Sequence, residues 1–219
     1  MKYPKFRSVV IIIISIVIIF SCAYYKTLKE GLTNNNDKNN IILMGDSVLN
    51  NSNYVPKGKS VYDNLKTKLD NVLNVSEDGA TINDLYLQLD KIPIELNSSE
   101  TFIFISAGGN NILNKQTNTD ITQLFDSFMD FLNALRAKLS NVKINIMNLY
   151  LPANPRFQSY QKSIDKWNHL INQNSSKVGE MYNVVDLNTL LTTYSDFVYD
   201  IEPSESGSEK IATIIYLTQ

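Results

Sequence analysis

Short apolar runs rich in β-branched residues recur along this chain, separated by longer stretches of helical periodicity. A continuous apolar run is what a strand covered on both faces requires, so the alternation itself limits the fold. Ile41-Ile42-Leu43-Met44 reads as a buried strand ending at Gly45-Asp46, and Val61 to Leu69 as a helix with Val61, Leu65 and Leu69 on one face. Val72 to Val75 reads as a second strand, followed by a turn at Asp78-Gly79 and a helix from about Ile82 to Leu89. Thr101-Phe102-Ile103-Phe104-Ile105 is the clearest central strand. A long helix over Ile121 to Leu139 carries Leu124, Phe128, Leu132, Leu135 and Leu139 on one stripe. Lys143 to Leu149 is then a strand, Tyr160 to Lys177 a helix, Val184 to Asp186 a strand and Gly207 to Leu217 a closing helix. Strands alternating with helices predict an α/β fold, a parallel sheet with helices on both faces. In such sheets the working crevice lies beyond the C-terminal ends of the strands.

The first residues follow a different rule. Lys2, Lys5 and Arg7 precede an unbroken apolar run from Val9 to Phe20 that continues through Ser21-Cys22-Ala23-Tyr24-Tyr25. As a helix, residues 9–25 would span roughly 25 Å, slightly short of a ~30 Å hydrocarbon core. Three readings fit this pattern. It is an uncleaved, single-pass signal anchor with its basic end inside, a lipoprotein signal with Cys22 as the lipidated residue, or a cleaved secretory signal. All three place the domain outside the cytosol, and the first attaches it to the membrane through residues 9–25. Lys26 to Asn40 is polar and repetitive, a flexible spacer. The expected organisation is thus a membrane segment at 1–25, a linker at 26–40 and a folded domain at 41–219.

Composition narrows the chemistry. Among 219 residues, 20 Lys and Arg stand against 22 Asp and Glu, for a formal charge of -2, which argues against a nucleic-acid partner. One cysteine, Cys22, excludes an internal disulfide, and with one histidine, His169, a Cys/His zinc site has too few ligands. No metal site is expected, and no cofactor: Gly108-Gly109 lacks the third glycine and the acidic ribose contact of a dinucleotide fingerprint. Asn is abundant throughout, which reads as genomic base composition rather than chemistry.

Three polar motifs fall at strand ends. Gly45-Asp46-Ser47 follows the first strand, where a serine at a strand-to-helix turn exposes its hydroxyl over the sheet edge. It also reads as ordinary turn or N-cap chemistry. Gly79 follows the second strand, and a glycine there leaves a backbone N–H facing a bound oxyanion, or simply closes a turn. Gly108-Gly109-Asn110-Asn111 follows the central strand; a carboxamide at that height donates to an oxyanion or caps the next segment.

Taken in order, these motifs resemble those of the SGNH/GDSL hydrolase family over nearly all of the domain from Ile41 onward. Gly45-Asp46-Ser47 is similar to the first block, with Val48 where the name-giving Leu would be. Gly79 matches the second-block glycine, and Gly108-Gly109-Asn110-Asn111 resembles the third block, with Asn111 in place of Asp. The resemblance implies a flavodoxin-like three-layer sandwich and an ester substrate, a small molecule or an acyl group on a glycan or lipid. It implies Ser47 as nucleophile, with the Ser47 N–H, Gly79 and Asn110 as oxyanion hole.

The last block departs from the pattern. The family supplies its acid and base from Asp-x-x-His-Pro ahead of the final helix. Here Tyr199-Asp200-Ile201-Glu202-Pro203-Ser204 keeps the frame but puts Glu202 at the histidine position and Tyr199 at the aspartate position, with Asp200 one residue out of register. His169 sits in a helical stretch and reads as a structural or surface residue. Losing the histidine from a Ser-His-Asp machine costs on the order of 10⁶ in turnover. A carboxylate near its ordinary pKa of about 4.3 is a weak base unless burial raises it. Two readings follow: an ester hydrolase with Ser47 as nucleophile and Glu202, with Asp200, in the acid–base role, or a catalytically silent domain that binds an acyl or carbohydrate ligand.

Overall fold

The computed structural model describes residues 39–114, 120–152, 154–175 and 181–219. The apolar segment at 9–25, Cys22 and the spacer up to residue 38 lie outside the described residues. Among those described, no helix is long and apolar enough to cross a membrane.

Five strands form one parallel sheet: β1 (Asn40–Gly45), β2 (Val72–Asn74), β3 (Thr101–Ser106), β4 (Lys143–Met147) and β5 (Asn183–Val185), in the order β2-β1-β3-β4-β5. The helices are α1 (Val61–Lys66), α2 (Asp84–Asp90), α3 (Gly109–Asn114), α4 (Ile121–Lys138), α5 (Gln161–Ser175), α6 (Leu187–Leu190) and α7 (Glu205–Thr218). The expected α/β architecture is therefore present, with the apolar runs as its strands. β1 begins at Asn40, paired with Thr101, so this residue belongs to the sheet and not to the spacer. Asp186, expected to end β5, instead caps α6 by accepting from the Asn188 and Thr189 N–H groups.

Strand alternation sorts the side chains into two cores. Ile42, Met44, Ile103 and Ile105 face one layer, built from α2, α4 and α5, while Ile41, Leu43, Phe102 and Phe104 face the other, built from α1, α6 and α7. Both faces being covered explains why β1 and β3 are apolar at every position and not at alternate ones. Trp167 of α5 is fully buried, packed edge-on against Phe125 and closing over Gly108, so it is a core residue and no ligand platform.

Two elements were not legible in sequence. Gly109–Asn114 is a helix, and after α6 the chain makes a short antiparallel hairpin, β6 (Phe197–Val198) with β7 (Glu202–Pro203). The hairpin turns through Tyr199 and Asp200, both left-handed at φ 49° and 71°.

The order places the reversal of winding between β1 and β3, whose C-terminal ends lie side by side, Gly45 opposite Ser106. That contact is very close. Gly45 has φ +123°, and a Cβ there would lie 1.9 Å from the Ser106 carbonyl oxygen. Gly45→Ala is expected to cost about 3 kcal/mol or more, through both clash and backbone strain, read as a lowered urea midpoint with an unchanged slope.

Candidate active site

The turn after β1 is organised by Asp46. Its N–H donates to the Ser106 carbonyl at 3.2 Å, and its own carbonyl accepts from Leu49 and Asn50 at 3.1 and 3.0 Å. Its Oδ1 accepts from the Ser106 hydroxyl at 2.8 Å and from the Val48 N–H at 3.1 Å. The Ser47 N–H takes no part in this set. Gln88 of α2, fully buried, grips the residue before the turn: the Gly45 N–H donates to its Oε1 at 2.7 Å, and its Nε2 donates to the Gly45 carbonyl at 2.8 Å. Ser47 is thereby held at the mouth of a cleft of about 130 Å³, lined also by Asp46, Asn110, Tyr150 and Glu202. The remaining wall is apolar, with Ile112, Leu149, Phe157 and Ile164 prominent.

Glu202 reaches this cleft from β7 and lines it together with Ser47. Burial raises the Glu202 pKa above its ordinary 4.5; the Ser47 hydroxyl opposes that rise and the Asp78 charge adds to it. Asp46 is pushed up from 3.8 to about 7, chiefly by burial, against the stabilising bonds from Ser106 and Val48. Asp78 in turn accepts from the Tyr54 hydroxyl at 2.6 Å, and this bond, with burial, raises the Tyr54 phenol above its usual range.

The other expected residues divide. Asn110 lines the cleft, its Nδ2 donating to the Ala80 carbonyl at 3.0 Å, which leaves the second amide hydrogen for a ligand. Asn111 accepts from the Ile82 N–H through Oδ1 at 3.1 Å; an acceptor is all this position uses, so the amide serves where the family pattern has a carboxylate. Gly79 is not part of the cleft wall but lies one residue before Ala80, in a loop tied to the end of β1 by the Glu77 N–H donating to the Gly45 carbonyl at 2.9 Å. The structure does not bring Asp200 to Ser47. It is exposed on the hairpin tip, 3.5 Å from Arg156, and the carboxylate acting on Glu202 is Asp78 instead. His169 is exposed on α5. Asp46, Asp78 and Gln88 were missed as site residues; of these only Gln88 left a signal, a polar side chain on the apolar face of a predicted helix.

A serine at the switch point of a parallel sheet, sharing a largely apolar cleft with a carboxylate, fits a hydrolase of ester bonds. The chain belongs to the GDSL-like lipase/acylhydrolase family, whose pattern matches residues 41–214. Solved structures share the fold. A G-D-S-L family lipolytic protein from Veillonella parvula superposes with a TM-score of 0.64 at 18% identity, covering 80% of this chain and 94% of that one. The lipase Lip_vut3 from a goat rumen metagenome gives 0.64 at 15%, covering 82% and 96%, and a lipase/acylhydrolase from Enterococcus faecalis 0.60 at 16%, covering 82% and 94%. No curated protein matches the chain.

Burial of Asp46 has a measurable sign. The fold favours its protonated form, so its contribution to stability is full below about pH 4 and is lost as the pH rises from 3.8 towards 7. The shift corresponds to roughly 4 kcal/mol. Asp46→Asn keeps the Oδ1 acceptor, and its urea-unfolding free energy is expected to lose this decline across the same range.

Proposed function

We propose that the protein is a serine ester hydrolase working with a Ser47–Glu202 dyad, its oxyanion hole formed by the N–H of Ser47 and the Nδ2 of Asn110. The observation that carries this reading is that Ser47 shares its cleft with a carboxylate whose pKa burial has raised. Desolvation makes Glu202 a stronger base than an exposed glutamate. Glu202 takes the Ser47 proton as the oxygen attacks the ester carbonyl and returns it to the departing alcohol. It then takes a proton from the water that attacks the acyl-serine and passes it to the Ser47 oxygen as the acid leaves. Hydrogen bonds aimed at a developing oxyanion are worth ~3–4 kcal/mol each in comparable sites.

The cleft favours a short acyl group. Its 130 Å³ is close to the ~150 Å³ of an apolar cavity that admits benzene. Acetyl and butyryl groups fit within that space, and a palmitoyl chain has to extend beyond it, whether the alcohol belongs to a small molecule, a glycan or a lipid. The basic, apolar N-terminus supports a working site outside the cytosol, attached through residues 9–25.

A fluorophosphonate probe read by mass spectrometry tests the nucleophile. An adduct on Ser47 is expected, absent from Ser47→Ala and slowed at least hundredfold in Glu202→Gln. No adduct on a folded protein would leave a binding module in place of an enzyme. Since Glu202 must be ionised to act, the rate is expected to rise with pH through a limb lying above 4.5. Among p-nitrophenyl esters, acetate and butyrate are expected to turn over faster than palmitate, and Ile164→Ala to shift the optimum towards longer chains.

A further inference from the structure

Glu202 sits on a short hairpin that depends on its neighbours to hold its place. Each strand contributes two residues, paired Phe197 with Pro203 and Val198 with Glu202, and an isolated hairpin of this size is not stable in water. Its turn adds strain, because Tyr199 and Asp200 are both left-handed without being glycine. The contacts at the tip are weak: an exposed ion pair of Asp200 with Arg156 and an edge-on contact of Tyr199 with Tyr54 at 6.1 Å.

The strong contacts lie on either side of Glu202. The Tyr150 hydroxyl, just beyond β4, donates to the carbonyl of Ile201 at 2.7 Å. Asn51, in the loop after Ser47, donates through Nδ2 to the carbonyl of Pro203 at 3.1 Å. Both side chains are buried, Asn51 completely. Asn51 makes two further bonds: Nδ2 also donates to Ser208 Oγ at 2.5 Å, and Oδ1 accepts from the Val61 N–H at 3.0 Å. The Tyr150 ring leans on Phe197 of β6 at 5.2 Å, so its ring engages β6 and its hydroxyl the residue just before β7.

We propose that Asn51 and Tyr150 are positioning residues that clamp the peptide on both sides of Glu202 and so hold its carboxylate on the Ser47 hydroxyl. The inference rests on the dyad reading above. Asn51 belongs to the same loop as Ser47, four residues on, so one loop carries the nucleophile and fixes the base. Tyr150 ties the base to the sheet. Asn51 lies outside the cleft lining, and the Tyr150 hydroxyl is engaged by the Ile201 carbonyl; both act through the backbone of Ile201 and Pro203.

Tyr150→Phe is the clean test, since it removes one hydroxyl and keeps the ring. Burial holds the Tyr150 phenol well above its usual range, so the replacement changes no charge. The other ionisable groups acting on the site, Asp46 on the β1 turn, Asp78 and Tyr54 on neighbouring loops, and the Asp200–Arg156 pair at the tip, stay as they are. The readout is the rate of fluorophosphonate labelling at Ser47 in the full-length chain, against pH and probe concentration. Tyr150→Phe and Asn51→Ala are each expected to slow the limiting rate about tenfold or more, as misplacement of a catalytic group does. Half-saturation should stay unchanged and the acid limb should move down towards 4.5. The double variant is expected to fall short of the product of the two single effects, because both act on one hairpin. Ser208→Ala, which removes the other Asn51 partner and touches no hairpin carbonyl, is expected to label at the wild-type rate. A Tyr150→Phe protein that labels at the wild-type rate with an unmoved limb overturns the clamp, and this variant decides alone if Asn51→Ala does not fold. Should Glu202→Gln label like wild type, the dyad reading fails and the clamp with it. A silent Glu202→Gln beside an unimpaired Tyr150→Phe removes the clamp only.

Discussion

Covering a parallel sheet on both faces leaves little room in the interior for polar chemistry, and the rest of this molecule is arranged around that constraint. β1 and β3 are apolar throughout because each side chain meets one of two helical layers. Polar groups collect where the strands stop. At the switch between β1 and β3 the two chains approach so closely that Gly45 admits no side chain, and the turn that follows delivers Ser47 to the cleft. Position and chemistry thus share one cause, the packing of the central strands.

The electrostatics of the cleft differ from those of an imidazole-based site. A histidine is poised near neutrality by its own chemistry, whereas a glutamate depends on its surroundings. Burial raises the Glu202 pKa, and the charge of Asp78 adds to the rise. Asp46, more deeply buried, is pushed up to about 7. The cost falls on stability: carboxyls that would rather be neutral oppose folding once they ionise.

Carboxamides have a structural part in this site that abundance alone obscured. Gln88 closes both polar groups of Gly45, Asn168 does the same for Leu149, with bonds of 2.8 and 2.6 Å, and Asn148 Oδ1 accepts from the Leu187 N–H at 2.7 Å. An amide offers a donor and an acceptor without a charge, so it can pair a backbone N–H and C=O below the surface at little electrostatic cost. The expectation that Asn content reflects base composition alone does not describe Asn51, Asn110, Asn111 or Asn148.

The apolar runs and helical stripes were enough to determine an α/β sheet and which segments build it, because burial imprints its period directly on the residues. Ser47, Asn110 and Glu202 were legible for a related reason: each stands in a short motif at a strand end or before the last helix. What the sequence could not carry was the relation between motifs far apart in the chain. Glu202 meets Ser47 because a hairpin brings it there, Asp78 and not Asp200 lies close enough to act on it, and Asn51 reaches Pro203 across 152 positions. Asp200 looked suitable by spacing, yet the left-handed turn through Tyr199 and Asp200 leaves it on the exposed tip beside Arg156. Local pattern determines what a segment becomes; only the closed tertiary structure decided which charges share a cleft.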